Sequence, residues 1–113
     1  MSNVQTQQQT CTQQDKDEIT QLEEDLKDVN HAYGVTKQLA AKYYLDWEEL
    51  KQEYQEASDP QEKKAIKQDM DAAKSDYDNE VLELNRLTRE KDAINSRLSV
   101  LYKKCGTKVA RFC

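Results

Sequence analysis

The feature that most constrains this chain is an apolar seam. It starts at Ile19 and runs through Leu22, Leu26, Val29, Tyr33, Thr36, Ala40, Tyr43, Trp47, Leu50, Tyr54 and Ala57. The steps alternate three and four residues without a slip, and Thr36 is the single polar member. That spacing puts every member on one stripe of an α-helix and is the heptad pattern of coiled-coil packing. A sheet needs period two and frequent turns. Two glycines and one proline in 113 residues do not supply those turns, so a β-sandwich, a barrel and a doubly wound α/β domain are all disfavoured. With 35% charged residues, 36% hydrophobic residues and a net charge of −5, composition alone would also allow disorder. The regularity of the seam argues against it.

Punctuation then sets the element ends. Residues 1–14 hold six glutamines and three threonines, a composition typical of a flexible or partner-ordered arm, assigned to 1–12. Thr12 followed three residues later by Asp15 resembles a capping box, so a helix is expected over about 13–57. Ser58-Asp59-Pro60-Gln61-Glu62 interrupts the pattern: Asp59 suits an N-cap, Pro60 the first helical position and Glu62 the third. A second helix is expected over about 60–105, with seam positions Ile66, Met70, Ala73, Tyr77, Glu80, Leu84, Leu87, Lys91, Ile94, Leu98, Leu101 and Cys105. Glu80 and Lys91 are its misfits, and Val81 stands beside Glu80 to help fill that layer. Gly106 fits the stop just past a helix end, leaving 106–113 as a short basic tail that ends in Cys113.

Two helices of nearly equal length around a short joint must run antiparallel. The expected fold is therefore all-α: a long two-helix coiled-coil hairpin over 13–105. Facing residues should sum to about 116–118. Trp47 then faces Met70, Ala40 faces Tyr77, Tyr33 faces Leu84, Leu22 faces Ile94 and Ile19 faces Leu98. Thr36 faces Glu80, so the polar layer is shared. Gly34 lies beside that layer, where it would allow close backbone approach or bend the first helix. The unbroken seam through Tyr33, Thr36 and Ala40 favours a continuous helix over a break. The expected core comprises Ile19, Leu22, Leu26, Val29, Tyr33, Ala40, Tyr43, Trp47, Leu50, Met70, Tyr77, Leu84, Leu87, Ile94, Leu98 and Leu101.

The same rule brings the cysteines into play. Cys11 and Cys105 sum to 116 and should meet at the open end of the hairpin, as an intra-chain disulfide or as two reduced, small apolar side chains. Cys113 is placed for an inter-chain disulfide or a free thiol. No zinc spacing is present, because Cys105 and Cys113 are eight apart and the only histidine, His31, is distant. The absence of a basic start followed by an apolar run gives no sign of a signal peptide, so cytosolic synthesis is expected. No apolar stretch approaches the roughly 20 residues of a membrane helix.

Charge divides by half. Residues 1–60 hold five lysines and 13 acids, while 61–113 hold 12 basic residues and nine acids. The acidic Asp15–Asp28 stretch should lie beside the basic Arg97–Arg111 stretch and favour this register. The neighbouring acidic helix also makes nucleic-acid binding through Lys103, Lys104, Lys108 and Arg111 a weak reading. A lone hairpin covers its seam from one side only. Further apolar residues, Val35, Leu39, Tyr44, Leu45, Val81, Leu82, Val100 and Tyr102, are expected to form a second apolar face for a partner, either another copy or a different structural protein.

Catalytic chemistry finds no footing. Asp28 and His31 have the carboxylate-x-x-His spacing of di-iron bundles, but the second pair and the inward glutamates are missing, and a solvated histidine is the simpler reading. Aromatics at heptad spacing are read as core rather than as a ligand-stacking box. No cofactor, metal, small-molecule substrate or membrane is expected. The expected function is a non-enzymatic structural or assembly protein, as in a small virion component (phage neck, tail, fibre-attachment or capsid-cementing) locked by disulfides. The alternative is a cytosolic helical chaperone or adaptor that holds a client on its apolar face. A regulatory coiled coil that binds nucleic acid comes third.

Overall fold

Residues 10–106 are described by a computed structural model. Two helices account for almost all of them: α1, Gln13–Glu56, and α2, Pro60–Cys105. They form the helical hairpin expected from the seam.

Each helix end has an identifiable cause. At the start of α1 the capping box closes in both directions. The Asp15 backbone N–H donates to Thr12 Oγ1 at 3.1 Å, and the Thr12 N–H donates to Asp15 Oδ2 at 3.0 Å, which satisfies two amides that the helix itself leaves without partners. At the start of α2, Asp59 Oδ2 accepts the Glu62 N–H at 3.3 Å, and the Asp59 carbonyl accepts the Lys63 N–H at 2.9 Å. Pro60 occupies the first helical position, where its fixed φ suits the helix and its missing N–H costs nothing. At the end of α2, Gly106 adopts φ +65° and its N–H donates to the Tyr102 carbonyl at 2.7 Å. That bond is the left-handed cap for which glycine is the preferred residue.

The chain divides into two compact units. The open-end unit pairs Met1–His31 with Thr88–Cys113, of which 10–31 and 88–106 are described. Its core is aliphatic: Ile19, Val29, Ile94, Leu98 and Leu101 are buried, Leu101 almost completely, and Leu22 and Leu26 are half-buried. The turn-end unit, Ala32–Leu87, buries Thr36, Ala40, Ala73 and Leu87, while Tyr33, Tyr43, Trp47, Leu50, Met70, Tyr77 and Leu84 stay half-buried. Small residues are enclosed between two helices, whereas large rings project past the single facing helix and keep an edge in water. No buried side-chain nitrogen or oxygen among the described residues lacks a hydrogen-bond partner, so the Thr36 layer does not strand a polar atom.

Gly34 corrects one expectation. Helix α1 passes through it without interruption, and a Cβ built there would meet nothing within 4 Å. Its role is neither close backbone approach nor a break. In an exposed helix interior glycine only lowers helix propensity. Gly34→Ala should therefore stabilise the protein by about 0.5–1 kcal/mol. Gly106→Ala, at a positive φ, should destabilise it by about 1–2 kcal/mol. Urea titrations of the two variants beside the parent protein check both signs.

Candidate functional site

Two features outside the seam are candidates for function: the cysteine clamp at the open end, and the exposed flanks of the hairpin.

The clamp is built where both helices end. Cys11, one residue before the Thr12 cap, and Cys105, the last residue of α2, form a disulfide with their Cα atoms 4.9 Å apart. The cap fixes the entry of α1 and the seam fixes the exit of α2, so the two sulfurs meet as a consequence of the hairpin register. Cys113 lies outside the described residues, as do the Gln-rich residues 1–9 and the tail from Thr107.

Ion pairs surround the disulfide. Lys104 Nζ lies 3.0 Å from Asp15 Oδ2, and Arg97 makes a fork to Glu18 at 2.8 and 3.0 Å. The acidic start of α1 and the basic end of α2 thus face each other, as their charge pattern requires. The Thr12 backbone N–H, followed by Lys104, holds the Asp15 carboxyl below its ordinary value. The Arg97 hydrogen bonds do the same to Glu18, and Glu18 raises Arg97 in return. Asp15 is only 8% exposed. Sequence reading gave it only a cap role, yet it sits four residues before Ile19 and so continues the seam. That spacing was the available signal for its burial.

Tyr102 departs from its expected role as a partner-facing apolar residue. It is half-buried and its hydroxyl donates to Glu23 Oε2. Burial, together with the Glu23 carboxylate, pushes the phenol up to about 12.

The remaining flank residues are distributed by the heptad. With seam residues at a and d, Tyr44, Val81 and Tyr102 fall at e, Leu39 at g, Val35 and Val100 at c, and Leu45 and Leu82 at f, the outermost position. Leu45 and Leu82 are the most exposed of the large apolar side chains, at 62% and 66%. Val35, Leu39, Tyr44 and Val100 are also exposed, and Val81 is half-buried. Within the turn-end unit the register therefore spreads these residues over several flanks instead of gathering them on one face. On the e flank of the turn-end unit the Tyr44 ring lies 5.6 Å from Tyr77 and 6.0 Å from Trp47, with Lys51 Nζ 4.2 Å from the Trp47 ring centre. These rings pack on one another and on lysine stems, and the cleft they line, about 30 Å³, has no room for a ligand beyond a water.

His31 is exposed, and no cluster of three or more metal-ligating side chains occurs among the described residues. None of their helices is long and apolar enough to cross a membrane. No protein-family model, curated protein or solved structure matches this chain.

The clamp yields two expected outcomes. The disulfide spans 94 residues of sequence, so Cys11→Ser, or reduction of the parent protein, should cost about 4 kcal/mol through loss of loop closure in the unfolded state. Chemical denaturation with and without reductant measures it. The second outcome concerns pH. Asp15 and Glu18 have folded values below their ordinary 3.8 and 4.5. Their contribution is complete above those ordinary values and is lost as pH falls through the lowered folded ones. An Asp15→Asn/Glu18→Gln variant should consequently lose less stability than the parent between about pH 5 and pH 2, as read by thermal melts across that range.

Proposed function

We propose that this protein is a non-enzymatic assembly subunit, a small structural component of a virion or a comparable released particle that is locked by disulfides. The observation that carries the reading is the Cys11–Cys105 bond, which ties the two ends of the hairpin together. A disulfide persists in an oxidising environment and is rare in a reducing cytosol. A particle released from its host by lysis enters such an environment without using a secretory route. Four further observations support the reading. The hairpin shields its seam from one side only. Leu45, Leu82, Val100 and Tyr44 remain exposed. The grooves of about 360 Å³ along the helices are open, unlike the enclosed pockets that hold small molecules. Cys113 supplies a third sulfur for a link between chains.

Mass analysis of native material, trapped by alkylation at the moment of isolation and compared with and without reductant, tests the proposal. The expected result is an intact Cys11–Cys105 bond, with Cys113 either linked between chains or the only alkylated cysteine. Three alkylated cysteines would overturn the disulfide-locked particle. They would favour the alternative, a cytosolic chaperone or adaptor that holds a client on Tyr44, Leu45 and Leu82.

A further inference from the structure

The two flanks of the turn-end unit differ in charge, and folding of the hairpin does not account for the difference. In an antiparallel hairpin the e positions of both helices share one edge and the g positions share the other. In the open-end unit this pairing is favourable at two levels, where Arg97 and Glu18 are both g and form an ion pair and Tyr102 and Glu23 are both e and form a hydrogen bond, while at a third the g residues Asp25 and Glu90 line one groove with Asp28. In the turn-end unit the g edge has acid facing acid. Asp46 and Glu53 of α1 and Asp69 and Asp76 of α2 line one groove of about 360 Å³ floored by Leu50 and Ala73, and no cation lines it. Like charges across a seam oppose the pairing of their own helices. The e edge of the same unit is the opposite in kind. It carries Lys37, Lys51, Lys67 and Lys74 with the exposed Tyr44. Lys51, Lys67 and Lys74 pair with acids one helical turn away, Glu48, Asp71 and Asp78, in pairs that are more than a third exposed, and Lys51 also lies over the Trp47 ring. Such pairs are worth little and exchange readily.

We propose that these two edges are docking surfaces for a second copy of this chain, the acidic g edge of one molecule receiving the lysine-bearing e edge of the next. The spacing supports a definite register. In parallel heptad packing a g residue pairs with the e residue five positions later on its neighbour. Applied here, that rule sets Asp46 against Lys51, Glu62 against Lys67, Asp69 against Lys74 and Leu39 against Tyr44 of the second copy. These four matches are opposite charges or apolar pairs and fall within Ala32–Leu87, whereas the same rule sets Asp76 against Val81. The turns of the two copies then point the same way. Because the paired edges are different, the contact is heterologous: each copy keeps one edge free for a further copy, and the product is a ring or a filament. This inference rests on the assembly reading for its choice of a second copy as partner.

Paired charge reversals on the full-length, oxidised protein test it, with Cys113→Ser throughout so that no covalent link contributes. One variant, Lys51→Glu/Lys67→Glu/Lys74→Glu, spoils the e edge. The other, Asp46→Lys/Glu62→Lys/Asp69→Lys, spoils the g edge. In sedimentation velocity at low salt, the unreversed protein should form a concentration-dependent series of oligomers. Its association should weaken roughly tenfold or more near 0.5 M salt, where exposed charges are screened. Each reversed variant alone should sediment as a monomer with unchanged helical circular dichroism. The equal mixture should regain a series of oligomers in which the two variants alternate, because the native g edge of one meets the native e edge of the other and the two reversed edges are again opposite in charge. Where a triple variant loses helicity, the single pair Lys74→Glu and Asp69→Lys replaces it, with the mixture again expected to associate. The inference is overturned if the unreversed protein stays monomeric, if its oligomers survive either reversal, or if the mixture stays monomeric. Oligomers that survive both reversals would leave the assembly reading standing and remove only this edge pairing. Three free thiols in native material would remove the assembly reading through its own test.

Discussion

The rest of the structure depends on the geometric limit of two helices packing along one seam. A coiled-coil pair encloses small and branched side chains well, because each inserts into a gap between four residues of the facing helix. It has no third element to close over anything larger. The two units show both sides of that limit. Leu87 and Leu101 are almost fully buried, whereas Trp47, Tyr43 and Tyr77 occupy seam positions of the same kind and remain half-exposed. The turn-end unit is therefore the part with apolar surface to share, and that surface exists because of residue size, without any break in the pattern.

At the open end, where helices fray, several local interactions occupy the same short stretch. The Thr12–Asp15 cap, the Asp15–Lys104 and Glu18–Arg97 pairs, the Cys11–Cys105 bond and the Gly106 cap all lie within the first turns of α1 and the last turns of α2. Exposed ion pairs contribute little by themselves, and the disulfide acts mainly by limiting the unfolded chain. Their convergence matters because each restrains a segment that the seam alone holds least. Asp15 belongs to three of these devices: it closes the cap, pairs with Lys104 and occupies the first seam position. Its lowered pKa records the first two roles, with the cap's backbone amide as the larger cause.

The proposed function and the edge pairing draw on different evidence. The first follows from sulfur chemistry at the chain ends and from the need of a thin fold for cover. The second follows from the acids on the g edge of the turn-end unit, which hinder the hairpin's own pairing, and from the lysines on its e edge. Residues that work against their own fold are expected where specificity toward a partner has been selected at some cost in stability.

The heptad seam, the Thr12 and Asp59 caps, Pro60 and Gly106 together determined the architecture in the sequence itself, because local periodicity and end chemistry leave two helices of this length only one compact arrangement. The meeting of Cys11 with Cys105 was also legible, as a consequence of that register. Three things were decided only by tertiary structure. Asp15 continues the seam spacing, but its burial was completed by the facing helix, which brings Lys104 against it. Tyr102 turns inward because Glu23 stands across the e edge to accept its hydroxyl. Gly34 proved to have open space beside it, because it falls at the exposed b position next to Tyr33, on the side turned away from the facing helix. The single apolar face read from the sequence resolved into separate flanks for a related reason. Composition counts exposed leucines and tyrosines, but only the rotation of each helix about the shared seam determines which edge presents them.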